Sequence, residues 1–135
     1  MTATELVQKA KEARELAYAP YSHFTVGAAL LTSDGRVFLG ANIENAAYSV
    51  TCCAERVALF RAVSEGARDF CAVAVIGGEA GKEPKSACYP CGVCRQAFFE
   101  FCDGTLAVYT EDEGVLLETT LAKLLPNAFD KSNLK

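Results

Sequence analysis

Apolar residues recur at helical spacing near the start of the chain. Leu6, Ala10, Ala13 and Ala17 mark one face of a helix expected over residues 2–17. Thr2 and Glu5 have capping-box spacing at its start, and Pro20 ends it. Two apolar runs follow, Thr25 to Leu31 and Val37 to Ile43, joined by Ser33-Asp34-Gly35, and they read as a hairpin. A second helix is expected from Cys53 to Glu65, with Gly66 as its stop. Cys71 to Ile76 is apolar throughout, as in a strand buried on both faces. Residues 77–90 read as a loop. Beyond it Cys94, Ala97, Phe98, Phe101 and Cys102 return to helical spacing, up to Asp103-Gly104. Thr105 to Tyr109 and Gly114 to Glu118 read as strands, and 119–125 as a short helix stopped by Pro126. This order predicts an α/β fold, a three-layer α/β/α domain with a mixed five-stranded sheet.

Composition narrows the picture without naming a chemistry. The 135 residues suit one domain spanning 1–135, and 51% hydrophobic with 22% charged residues provides a real core. No apolar run reaches membrane-span length and no signal peptide is visible, so the expectation is a cytoplasmic protein without a membrane partner. Net charge is −4 with scattered basic residues, which disfavours a long nucleic acid as partner.

The seven cysteines change more. An odd count without a secretion signal is no disulfide framework, and a cluster in a reducing compartment points to metal or redox chemistry. Cys71 and Cys102 read as small apolar packing residues. Pro90-Cys91-Gly92-Val93-Cys94 has ligand spacing at a helix start, and taken alone it fits a redox dithiol as well as a metal. Cys53-Ala54-Glu55 stands at another helix start. If the two N-termini converge, three thiolates meet where two helix dipoles favour anions, a donor set suited to Zn²⁺. Three protein ligands leave a fourth position open, the mark of a catalytic site. Glu55 lies two residues past one ligand and can carry protons at that position. The spacing fits the three-cysteine form of the zinc-deaminase pattern. Arg56, one turn from Cys53, either offsets the thiolate charge or is a solvated surface residue. A closed four-ligand site would need Cys52 or, more credibly, Cys88. His23, the only histidine, reads as a loop or surface residue.

Five segments in order resemble the small, all-cysteine-ligand cytidine deaminases across nearly the whole chain. They are Y-A-P-Y-S-H-F-T-V-G-A-A-L (18–30), G-A-N-I-E-N-A-A-Y-S (40–49), C-A-E-R (53–56), P-C-G-V-C-R-Q (90–96) and L-L-P-N-A-F (124–129). The resemblance implies hydrolysis of cytidine and deoxycytidine to uridine and deoxyuridine in pyrimidine salvage, one Zn²⁺ per chain and a homotetramer. It implies that Phe24 packs on the pyrimidine, that Asn42 and Glu44 bond the ribose, and that Ala54 offers backbone groups to the base. Ala46, Tyr48 and Phe129 match positions that complete a neighbour's pocket. Asn127 stands where a glycine is usual and tolerates the same left-handed turn. The alternatives are a deaminase of a nucleoside antibiotic such as blasticidin S, a polynucleotide deaminase, a C-x-x-C thiol oxidoreductase and a purely structural zinc module.

Overall fold

The computed structural model describes residues 1–134. Within them lie α1 (Ala3–Ala13), β1 (Phe24–Thr32), β2 (Val37–Ala41), α2 (Ala54–Ser64), β3 (Phe70–Glu79), α3 (Gly92–Phe101), β4 (Ala107–Asp112), β5 (Val115–Thr120) and α4 (Leu121–Leu124). The strands form one sheet in the order β2-β1-β3-β4-β5. Only β3 and β4 pair in parallel, and the other neighbours are antiparallel, so the sheet is mixed as expected. No helix among the described residues is long and apolar enough to cross a membrane.

Strand periodicity decides which helix covers which face. On β1 and β3, Ala29, Ala72, Ala74 and Ile76 pack with Leu6, Val7 and Ala10 of α1. The alternate positions Ala28, Leu30, Val73 and Val75 pack with Ala54, Ala58, Leu59 and Ala62 of α2 and Phe98 of α3. Three layers result, with α1 alone on one face of the sheet. The capping box at the start of α1 forms: Glu5 N–H donates to Thr2 Oγ1 at 3.1 Å and Thr2 N–H to Glu5 Oε1 at 3.0 Å.

Several boundaries and one burial expectation need correction. The first helix is α-helical only to Ala13, and a 3-10 turn, Arg14–Leu16, replaces its last residues. Arg14 turns its side chain onto the sheet there, donating to Thr25 O at 3.1 Å and Glu79 O at 3.2 Å. β3 extends past Ile76, because Gly77, Gly78 and Glu79 still pair with Val26, Thr25 and Phe24. Cys71 is exposed, not a core residue. The register with β1 shifts there, Leu31 facing Ala72 while Thr32 faces Phe70. Cys71 is thus the extra residue of a bulge, which re-aims its side chain. Cys102 is half-buried against the core at the end of α3. Asn127 adopts φ 55°, the left-handed turn expected of it.

Where α2 sits depends on Gly40. A Cβ there would lie 2.4 Å from both the Ala54 carbonyl oxygen and the Ala58 nitrogen. The first turn of α2 therefore rests directly on the β2 backbone. Gly40→Ala should lower unfolding stability by about 3 kcal/mol, since neither backbone can yield cheaply. Urea denaturation measures this, and an unchanged midpoint would contradict the contact.

Candidate metal centre and active site

Cys53 and Cys91 occupy equivalent local positions. Each is the N-cap of its helix in extended backbone, Cys53 of α2 and Cys91 of α3, and neither side chain bonds back to its own helix end. A serine or aspartate at such a position would cap the helix and stabilise it by about 1 kcal/mol. Here the thiols turn to each other instead. The Sγ atoms of Cys53 and Cys91 lie 3.5 Å apart, and Cys94 Sγ lies 3.5 Å from that of Cys91. All three sulfurs fall within 4.8 Å of one another.

This spacing fits a metal. Tetrahedral ligands at a Zn–S distance of about 2.3 Å stand roughly 3.8 Å apart, so only a small adjustment is required. Cys94 is buried, Cys53 half-buried and Cys91 exposed, which leaves one flank of the cluster open. Among the described residues, no other Cys, His, Asp or Glu joins the three. Cys52 and Cys88, weighed as fourth ligands, stand outside it.

The thiols share their protons unequally. Cys53 is drawn down to about 5, chiefly by a hydrogen bond with the Cys94 thiol, with further help from Arg56 and Cys91. The same bond drives Cys94 far above the ordinary thiol range. Arg56 Nη2 lies 3.7 Å from Cys53 Sγ, so Arg56 is not a free surface residue. Its Nε is buried without a hydrogen-bond partner among the described residues.

Glu55, in the first turn of α2, is only 3% exposed. Burial pushes its carboxyl up to about 7, and the Cys53 charge adds to this. Hydrogen bonds from its own N–H, from the Cys94 thiol and from the Cys91 N–H pull the other way. These partners put the carboxyl at the thiol cluster, where it is poised to exchange a proton near neutrality.

The other candidate residues divide into two groups. Phe24 opens β1, and Asn42 follows β2 beside it. Asn42 is buried, its Oδ1 accepting from Val26 N–H at 2.8 Å and its Nδ2 donating to Phe24 O at 2.9 Å. Glu44 Oε1 accepts from the Tyr21 and Ser22 N–H groups at 2.9 and 3.1 Å, and Oε2 accepts from the Ser22 hydroxyl. The Ser22 bond leads in holding the Glu44 carboxyl below its ordinary value. Ala54 is buried at the start of α2. Ala46, Tyr48 and Phe129 are not gathered in: all three are exposed, Tyr48 by 90%. Gln96 Nε2 on α3 donates to Phe129 O at 2.8 Å and anchors that tail.

Arg95 was not foreseen as part of the site. Its Nε donates to Pro90 O at 2.6 Å and its Nη1 to Leu124 O at 2.7 Å, tying the segment before Cys91 to α4. Its place beside Cys94 was the one available signal. His23 lies exposed in the turn before β1, as expected.

Comparison with known proteins adds to this geometry. Residues 1–110 match the family model of the cytidine and deoxycytidylate deaminase zinc-binding region. The chain is 54% identical over 135 residues to a cytidine deaminase of Sporosarcina psychrophila, covering 99% of this chain and 96% of that protein. It is 49% identical over 130 residues to one of Halalkalibacterium halodurans, with 96% and 95% covered. The crystal structure of a cytidine deaminase from Burkholderia pseudomallei superposes with a TM-score of 0.86 at 48% identity, covering 96% of this chain and all of that one. A blasticidin-S deaminase of Bacillus cereus is more distant, at 31% identity over 131 residues.

Zinc ligation by these thiols requires their deprotonation, and Cys94 holds its proton tightly. Zinc uptake near pH 7 should therefore release protons, and affinity should fall as pH falls, by about tenfold per unit for each proton displaced. Calorimetric titration in buffers of differing ionisation enthalpy reads both quantities. A pH-independent affinity without proton release would exclude the thiols as ligands.

Proposed function

This chain belongs to the cytidine and deoxycytidylate deaminase family, and on that premise we propose that it hydrolyses cytidine and deoxycytidine to uridine and deoxyuridine, releasing ammonia. One observation carries the reading: three thiols and a buried, near-neutral carboxyl meet at two converging helix N-termini. Residues 1–135 act as one catalytic domain.

Cys53, Cys91 and Cys94 would hold one Zn²⁺, and the unpartnered Arg56 Nε fits a site that gains negative charge when all three become thiolates. When bound, the zinc supplies a Lewis acid with an open position, where water becomes acidic enough to react near pH 7. Glu55 accepts a proton from the attacking water and gives it to N3 of the cytosine ring as C4 becomes tetrahedral. The same carboxyl then takes the remaining proton from the C4 hydroxyl and delivers it to the amino nitrogen, so the C4–N bond breaks, the C4 carbonyl forms and ammonia leaves. A pKa near the working pH suits a group that is base first and acid second. Arg56 steadies the Cys53 thiolate.

The polar residues have capacity left for a sugar. A carboxylate offers about four lone-pair sites. Glu44 uses three of these on Tyr21 and Ser22, so Oε2 can still accept from a ribose hydroxyl. Asn42 keeps one Nδ2 proton after bonding β1. Phe24 presents its half-open ring to the pyrimidine, and the Ala54 backbone faces the base amide.

A homotetramer with shared pockets accounts for the exposed apolar residues around the site. Tyr48 and Val50 follow β2, Val93 stands in the first turn of α3, and Phe129 is tied to that helix. Ala46 and Tyr48 from one neighbour and Phe129 from another would close the pocket. Seven free cysteines suit a reducing, cytoplasmic setting.

The rival readings find less support. Identity to two cytidine deaminases, 54% and 49%, exceeds the 31% to the blasticidin-S deaminase. A dithiol oxidoreductase leaves Cys53 and Glu55 without a task, and a structural zinc site lacks its fourth ligand among the described residues.

Glu55→Gln should retain about one zinc per chain and lose at least ~10²-fold in kcat for cytidine, followed by loss of cytidine absorbance. Wild-type turnover in that variant would overturn the mechanism. Light scattering should give about four times the chain mass, and Phe129→Ala should raise KM about tenfold. A fully active monomer would refute the shared pocket.

A further inference from the structure

The side chains of β1 that face α2 and α3 form a row ending in Val26 and Phe24. Beside it the row from β3 runs Val73, Val75 and then Gly77, where the side chain is missing. Gly77 lies opposite Val26 and diagonal to Phe24, which itself faces Glu79. An aromatic ring lying over a sheet glycine is a known way to cover exposed backbone.

Two groups occupy the space that a Gly77 side chain would fill. A Cβ there would lie 2.9 and 3.2 Å from Cε2 and Cζ of the Phe24 ring, and 2.7 Å from Cys88 Sγ. The Cys88 backbone is anchored. Its N–H donates to the fully buried Thr110 Oγ1 at 3.1 Å, and it packs against the core beneath α2 and α3. Burial pushes its thiol up to about 12, and the charges of Glu55 and Cys53 reach it as well. It is a neutral packing group close to the catalytic carboxyl.

The Phe24 backbone is equally pinned. Its N–H donates to Ser22 Oγ at 3.0 Å, its carbonyl accepts from Asn42 Nδ2 at 2.9 Å, and Arg14 holds the next residue. Only the ring can move, and its resting place is set by what lies beneath it.

We propose that Gly77 and Cys88 together are positioning residues that seat the Phe24 ring and so fix the depth at which the pyrimidine lies against it. The proposal rests on the reading of Phe24 as the pyrimidine contact. A methyl group at position 77 must displace the ring, because it meets the ring directly while the Phe24 backbone is held. The thiol cluster and Glu55 stay in place, so the loss falls on ground-state binding and not on the chemical step.

The test is steady-state kinetics on zinc-loaded protein with cytidine, with zinc content and melting temperature measured alongside. Gly77→Ala should raise KM about tenfold with kcat within about twofold of wild type. Adding Cys88→Ala removes the sulfur but leaves the new methyl against the Phe24 ring, so the double variant should keep KM raised about tenfold. An unchanged KM in the single variant, or full recovery in the double, which would put the whole effect on the thiol, would overturn the seat. If Gly77→Ala fails to fold, Cys88→Val overfills the same space from the other side, and its KM must rise for the proposal to stand. Wild-type protein inactive on cytidine would refute the substrate reading instead. The seat would then be judged by the aromatic NMR shifts of Phe24, which must move in Gly77→Ala and stay moved in the double variant.

Discussion

Two helix N-termini brought to one point by a shared sheet face are the constraint on which the site depends. Cys53 and Cys91 occupy N-cap positions but do not cap. Their sulfurs meet instead, and Cys94 joins them from one turn further along α3. Both helix dipoles present partial positive charge there, which favours thiolates. The alignment tolerates little slack. Gly40 lets α2 rest on β2, and Arg95 holds the approach to α3 against Leu124.

Opposed electrostatic demands are met within a few residues. In the proposed reaction the three thiols must give up protons to hold a metal, whereas Glu55 must keep one within reach. Hydrogen bonding separates the two, since Cys53 is stabilised as an anion by Cys94 and Arg56 while burial raises Glu55. A wetter site would return Glu55 to the ordinary carboxylate range and remove its capacity to act as an acid. Burying Glu55 in the first turn of α2 thus contributes to chemistry at the expense of solvation.

Much of this was legible in the residues themselves. The capping box at Thr2 and Glu5, the hairpin at Ser33-Asp34-Gly35, and the apolar run along β1 are local signals, and local forces realise them. Cys53-Ala54-Glu55 with Pro90-Cys91-Gly92-Val93-Cys94 could be read because both occupy helix starts. What could not be read depended on distant partners. Cys71 looked like a core residue because a bulge has no sequence signature in so apolar a run. Gly77 and Gly78 resembled a loop because pairing with β1, fifty residues back in the chain, decides that they are strand. Arg95 bonds backbone carbonyls, and Arg14 bonds backbone carbonyls and the Thr25 hydroxyl, partners that no residue pattern announces.

The position of β3 also bears on the order of folding. α2 is the connection from β2 to β3, and α3 is the crossover from β3 to its parallel neighbour β4. Cys53 and Cys91 therefore cannot meet until β3 has been inserted between β1 and β4, a non-local event that costs loop-closure entropy before any contact repays it. In a zinc finger, the ion itself drives a short chain to fold. Here the apolar sheet and its helices are what bring the thiols together, so the geometry of metal capture is written in the topology of the whole chain.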